Sequence, residues 1–206
     1  MQTTRKRIIS AAIDLIERDG IEAFSMRRLA AELGCGLMSL YHHVPSRSSL
    51  LDGIAVHIAA GMEIRAAAAD SWQVQLRTQA VAFRRLGLAH PRCVLLTVTR
   101  PPAAACVMRP AESALATLTN AGLGVAEAVL ILRTFAAYII GSACCETQTR
   151  EADSEACSSH PLRLRATEFP LLTELTAEFR AKDPDADFEF GLSLLMRAVA
   201  VLVSER

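Results

Sequence analysis

The stretch 24–41, FSMRRLAAELGCGLMSLY, has few ways to fold other than as two short helices meeting at a tight corner. Ser25 carries a hydroxyl able to cap the free amides of a helix start, and Phe24 stands at staple spacing before Leu29, so a helix begins near Met26. Leu29, Ala30 and Leu33 recur at helical spacing and form one apolar stripe, leaving Arg27, Arg28 and Glu32 in water. Gly34 can take the left-handed conformation that closes a helix without a Cβ clash, and Cys35-Gly36 leaves room for the turn. The second helix spans residues 37–43, with Leu40 and Val44 facing inward; Leu37, Met38, Ser39, Tyr41 and His42 are expected mostly outward, and Pro45 ends it.

A compact second helix with an outward face is what can enter the major groove of duplex DNA, where base edges are exposed; a plain helical hairpin is the other reading. The flanks favour the first. Upstream, Ile8, Ala12, Leu15 and Ile16 make the apolar face of a helix that opens with Arg5-Lys6-Arg7 and closes at Asp19-Gly20. Downstream, Ser46 can cap a helix carrying Leu50, Leu51, Ile54 and Ile58. The simplest organisation is a helix-turn-helix head over 1–47 and a larger body over 48–206 that begins with a connecting helix near 48–64. Residues 1–50 hold seven Lys+Arg against five Asp+Glu, and the remainder fifteen against seventeen. So small an excess argues nothing alone, because phosphate contacts depend on where cations sit; Arg5, Lys6, Arg7, Arg27, Arg28 and Arg47 cluster toward the head's proposed DNA face.

The chain is 51% hydrophobic but only 5% aromatic, which implies a core of Ala, Leu, Val and Ile in an all-α fold. A candidate strand at 94–99 is better read as helix or loop beside Pro101. In the body, helices are expected over 72–89, from Pro110 to about 120, over 125–146 and over 187–203, with 147–167 an exposed loop. The stretch opening on Val125 and closing on Glu146, and that opening on Asp187 and closing on Val203, are apolar nearly all round; such faces in a small chain call for a second copy to cover them. On the last helix the expected stripe is Phe190, Leu194, Leu195, Ala198 and Leu202. The N-terminus passes from charged residues straight into an amphipathic helix, with no signal-peptide pattern, and the longest uncharged runs fall short of the ~18 residues of a membrane span, so a cytoplasmic location is expected. There the six cysteines are thiols. Cys144, Cys145 and Cys157 with His160 could assemble a thiol or metal sensor, although their spacing matches no zinc site; Cys35, Cys93 and Cys106 read as small hydrophobes. Enzyme chemistry is not expected, because His57, His90 and His160 are isolated and no nucleophile–base arrangement stands out. A DNA-binding architectural protein without an effector remains the other class.

The segment IISAAIDLIERDGIEAFSMRRLAAELGCGLMSLYHHVPSRSSLLDGI resembles the N-terminal domain of the TetR family of bacterial transcriptional repressors. The resemblance covers about the first 55 residues without a gap and rests on the ordered features AxxLIxxxG, SMRxLAxxLG, LYxHV and SLLD. SWQVQLRTQAVAFRRLGLAHP, followed by Thr99-Arg100-Pro101, resembles the ligand-binding domain of the tetracycline repressor branch. The resemblance implies a palindromic DNA operator, a small-molecule effector, and a homodimer in which the 125–146 and 187–203 helices of two copies form a four-helix bundle. Arg27 takes the place of a base-reading arginine, while Leu37, Met38, Ser39, Tyr41, His42 and His43 take the reading and phosphate-contacting face, with Arg28 and Arg47 beside it. Leu37 replaces an amide, so base hydrogen bonds fall to Arg27, Ser39 and His42, with Leu37 and Met38 suited to thymine methyls; Tyr41 anchors a phosphate, and Arg47 stands in for the family's usual lysine. For the effector, Phe83 matches a pocket phenylalanine, Gln79 a drug-gripping asparagine and Thr99 a neighbouring threonine. Leu96 stands where the branch has a magnesium-binding histidine, and the upstream drug-contacting histidine is missing near Met62 and Glu63. Leucine ligates no metal, so a predominantly apolar effector is expected, without cofactor or metal, in a pocket of Gln79, Phe83, Leu86, Leu96, Val98, Thr99, Leu115 and Phe135.

Overall fold

A computed structural model describes residues 5–62, 64, 70–100, 105–155, 167–174 and 183–206. The elements in order are α1 (Arg5–Asp19), α2 (Met26–Glu32), α3 (Leu37–His43), α4 (Arg47–Ala60), α5 (Trp72–Ala89), α6 (Leu95–Thr99), α7 (Ala105–Asn120), α8 (Val125–Glu155), α9 (Pro170–Glu174) and α10 (Pro184–Ser204). The fold is all-α, with no strand among the described residues.

The head folds as its local chemistry dictates. Ser25 accepts from the Arg28 amide at 3.2 Å and Ser46 from the Ser49 amide at 3.0 Å, so both caps start helices where the hydroxyls stand. At the corner, Gly34 takes φ +63° while its amide bonds to Ala31 O and the Cys35 amide to Ala30 O. This six-residue closure satisfies the last carbonyls of α2 and turns the chain into α3. Ile8, Ala12, Leu15 and Ile16 of α1 are buried against Leu29, Leu40, Val44, Leu50, Ile54 and Ile58. The same core includes Leu86, Cys93 and Leu96, so the end of α5 and the start of α6 are packed into the base of the head. By packing, α4 is as much the head's fourth helix as the body's first.

A second core joins α5, α7, α8 and α10 through Leu76, Ala80, Leu118, Ile131, Phe135, Ile139, Phe188 and Leu192. Tyr138 stacks on Phe188 with ring centroids 5.8 Å apart and donates its hydroxyl to the Phe188 carbonyl at 2.8 Å. Gly191 permits this approach, because a Cβ there would overlap the Tyr138 hydroxyl. Arg84 ties three helices together, pairing with the buried Glu146 carboxylate at 2.8 Å and with Asp185 at 2.6 Å while lying 4.5 Å over the Phe188 ring. Burial alone would lower its pKa; Asp185 and Glu146 reverse that and raise it.

Three boundaries and one buried face differ from the sequence expectation. The connecting helix ends at Ala60, where Gly61 caps it, rather than near residue 64. α7 starts at Ala105, so Pro110 lies inside the helix, omitting one backbone bond without stopping it. α8 continues to Glu155, which makes the first part of the expected 147–167 loop helical; polar Thr, Gln, Arg and Glu residues do not oppose a helix already nucleated by an apolar one. The segment 156–166 lies outside the described residues. On α10 the buried residues are Phe188, Leu192 and Val199, whereas Phe190 and Leu194 of the expected stripe are 69% and 48% exposed and Ala198 is exposed too. The helix bears two apolar stripes, and periodicity cannot say which one meets its own body. Within α8, residues Val125–Gln148 reach the length and, at a mean hydropathy of 1.8, the composition of a membrane span. Counting uncharged runs missed this, because isolated Glu127, Arg133 and Glu146 interrupt the run while hardly lowering its mean.

Candidate DNA-reading head and effector cavity

α3 is seven residues long, hence about 10 Å, short enough to lie within a major groove of roughly 12 Å. Leu40 anchors it with no exposure, and this fixes which residues point out. Met38 is 73% exposed, and Ser39, Tyr41, His42 and His43 share the open face. Leu37 is half-buried and packs against the head core, so its outward reach is smaller than its position in the sequence suggests.

The cations divide by what else they hold. Arg27 is exposed at the start of α2 and makes no hydrogen bond or ion pair among the described residues. Arg28 pairs with Asp19 at 2.6 Å and donates to Ala23 O at 2.9 Å, bracing the connection between α1 and α2. Arg47 donates to Ile21 O at 3.3 Å and lies 5.7 Å over the Phe24 ring. Behind them Arg18 bridges Asp19 and Glu32, holding both carboxylates below their usual range, for Asp19 chiefly through the hydrogen bond from Arg18 and for Glu32 likewise.

In the body a cavity of about 430 Å³ lies among α4, α5, α6, α7 and α8. Its walls include Gln79, Phe83, Leu86, Val98 and Phe135, five of the residues expected from the sequence. Leu96, Thr99 and Leu115 fall outside it. Leu96 is buried in the core beneath the head, the Thr99 hydroxyl turns back to Leu95 O on an exposed turn, and Leu115 packs half-buried against the second core. The sequence reading missed Met62, Thr97, Met108, Ala111, Leu132, Arg133, Ala136 and Ile139. For α8 the signal was available: Leu132, Ala136 and Ile139 continue the helical spacing of Phe135.

Two polar latches join the head to this hollow body. The Glu17 carboxylate, near the end of α1, accepts from the Arg92 and Cys93 amides at 3.1 and 2.9 Å, and Arg92 donates back to Arg18 O at 2.8 Å. At the end of α6, Arg100 pairs with Asp52 at 2.8 Å and donates to the Ser48 hydroxyl at 2.7 Å, gripping the first turns of α4. The four cysteines described contain no disulfide, and burial pushes the Cys93 and Cys144 thiols up in pKa, away from the reactive thiolate. Cys157 and His160 lie outside the described residues, within which no group of three or more His, Cys, Asp or Glu could hold a metal ion.

A reading helix fastened through a connecting helix to a hollow body is the build of a DNA-binding regulator that answers to a small molecule. Residues 8–54 match the model of the bacterial regulatory proteins of the tetR family, and residues 66–203 match the tetracyclin repressor-like C-terminal domain. The chain is 31% identical over 202 residues to an HTH-type transcriptional regulator of Saccharopolyspora erythraea, covering 96% of this chain and 84% of that one. It is also 31% identical over 196 residues to the class C tetracycline repressor protein of Escherichia coli, covering 93% and 88% respectively. Among solved structures, ActR from Streptomyces coelicolor superimposes in its apo form with a TM-score of 0.76 at 27% identity, over 100% of this chain and 98% of that one. Its complex with actinorhodin gives 0.77 over 98% and 99%. The chain belongs to the TetR family and is a DNA-binding transcriptional regulator.

Proposed function

We propose that this regulator binds a palindromic operator as a homodimer, represses from it, and is released when an organic effector enters the body cavity. The observation that carries the release step is the cavity's wall. Ala59 and Met62, at and just beyond the end of α4, and Thr97 and Val98 of α6 line it, and α6 is the helix whose end grips α4 through Arg100. A ligand that changes the spacing of these two elements therefore acts on the helix that carries the head. It shifts the equilibrium to the extent that it binds the released arrangement more tightly. ActR, with actinorhodin bound, is a relative of similar fold that takes an organic ligand.

In this reading Arg27 reads a base edge, Ser39 and His42 add hydrogen bonds, and Met38 with the tip of Leu37 covers thymine methyls. Tyr41, His43, Arg28 and Arg47 contact phosphates, the two arginines while still bracing the head. Dimerisation rests on faces left uncovered in one protomer: Leu130 on α8 is 61% exposed, and Phe190, Leu194 and Val201 on α10 are 69%, 48% and 54% exposed. Selection of bound duplexes from a random library at physiological salt tests the reading. A palindrome with half-sites about one helical turn apart is expected; an enriched site without two-fold symmetry contradicts it.

A further inference from the structure

Among the described residues the cavity lining is almost wholly apolar, and two of its polar groups have no protein partner at one end. Gln79 is 6% exposed and lines the wall; its Nε2 donates to Ser113 Oγ at 3.1 Å and to Thr117 Oγ1 at 3.3 Å on α7. Thr117 favours this orientation of the amide. The single Thr117 hydroxyl proton is already directed at the Ser113 carbonyl, 2.9 Å away, and at Gln75 Oε1, so toward Gln79 this oxygen accepts. Gln79 Oε1 is thereby left buried with no partner among the described residues, a desolvated acceptor that an arriving donor would satisfy. The second group is Arg133, exposed at the cavity's edge and making no ion pair or hydrogen bond among the described residues. Among the described residues no Asp or Glu lines the cavity with it.

We propose that the cavity takes an amphipathic organic acid, with an apolar body of ring-system size, an anionic group that pairs with Arg133 at the rim, and a hydroxyl that donates to Gln79 Oε1. This assignment rests on the cavity being the effector site. A volume of about 430 Å³ suits a fused-ring molecule, and the apolar walls of Phe83, Leu132, Phe135 and Ile139 supply its affinity without direction. Direction comes from the two polar ends. A guanidinium selects a planar carboxylate through paired hydrogen bonds, and a carbonyl oxygen selects a donor over an ether or ester.

Calorimetric titration of the full-length protein without DNA tests this, using a hydroxynaphthoic acid, its methyl ester, and the naphthoic acid lacking the hydroxyl. The acid is expected to bind about tenfold more tightly than the ester, and loss of the hydroxyl to cost about fivefold. Arg133→Gln, on an exposed position that leaves the fold intact, abolishes the acid–ester difference but keeps the hydroxyl effect, and Arg133→Lys restores part of the difference. Equal affinity of acid and ester, or an Arg133→Gln variant that still prefers the acid, overturns the assignment. The latter is also the result if a second copy's carboxylate occupies Arg133. Failure of all three probes to bind overturns the cavity as an effector site altogether. If the acid binds through Arg133 and a parallel anisotropy titration with operator shows no release, the ligand class stands and the release mechanism fails instead.

Discussion

Among single residues, the head separates side chains that hold it together from side chains that are free to read. Among the described residues Arg27 has no partner, whereas Arg28 holds Asp19 and Ala23 O and Arg47 holds Ile21 O and the Phe24 ring. Arg27→Ala is therefore expected to lower affinity for the selected duplex by about 1–3 kcal/mol and to relax preference at one base position, with the melting temperature unchanged. Tyr41→Phe removes a neutral donor, so binding should weaken uniformly across sequences with the salt dependence unaltered. Both are read by fluorescence anisotropy against a panel of single-base variants; an unchanged affinity for Arg27→Ala contradicts the assignment of α2 and α3. The Arg18 cluster gives a pH prediction. Asp19 and Glu32 have pKa values lowered in the folded head, so the stability they add is present above the unfolded values of 3.8 and 4.5 and is lost as the pH falls through the lowered folded ones. Urea unfolding should show the head of the wild type losing stability more steeply than an Arg18→Gln variant below about pH 4. Both groups are at the surface, so added salt should shrink the difference.

For the helices, the sequence was most legible where the signal was local. Ser25, Gly34, Ser46 and Pro45 each act within a few residues, and α1 to α3 have the bounds their caps and stripes imply. It was least legible where two faces compete or where a break is conditional. Pro110 marks a helix start only if nothing upstream is helical, and α10 carries two apolar stripes whose assignment depends on Tyr138 and Arg84 meeting Phe188 from other helices. Pocket residues lie between these limits. Phe83 was legible through its resemblance to a pocket phenylalanine, but the side of α6 that Leu96 occupies was not, because only the fold places α6 with one side on the head core and the other on the cavity. In the proposed release mechanism, that two-sidedness makes α6 the link between cavity and head. Arg100→Ala, which frees α6 from Asp52 and Ser48, is expected to weaken operator binding while leaving the affinity for cavity ligands unchanged. Loss of ligand binding with DNA binding intact would show that the latch serves the pocket and not the head.

In the molecule as a whole, the proposed homodimer would cover the exposed apolar residues of α8 and α10 with a second copy. One substitution on each, Leu130→Glu or Phe190→Glu, places a charge where the second copy would pack and should convert a dimer to monomers in analytical ultracentrifugation. Each monomer keeps both internal cores, so helix content persists while operator affinity collapses for want of the second head. A dimer unaffected by both changes would place the interface elsewhere.

Release of the head by a cavity ligand requires energetic coupling between the two sites, and coupling is reciprocal. The measurement that reaches it most directly is a pair of titrations: operator affinity with and without saturating cavity ligand, and ligand affinity with and without saturating operator. Each is expected to weaken the other by the same factor, and Arg100→Ala to reduce both factors together. A ligand that fills the cavity while operator affinity stays constant would contradict that coupling.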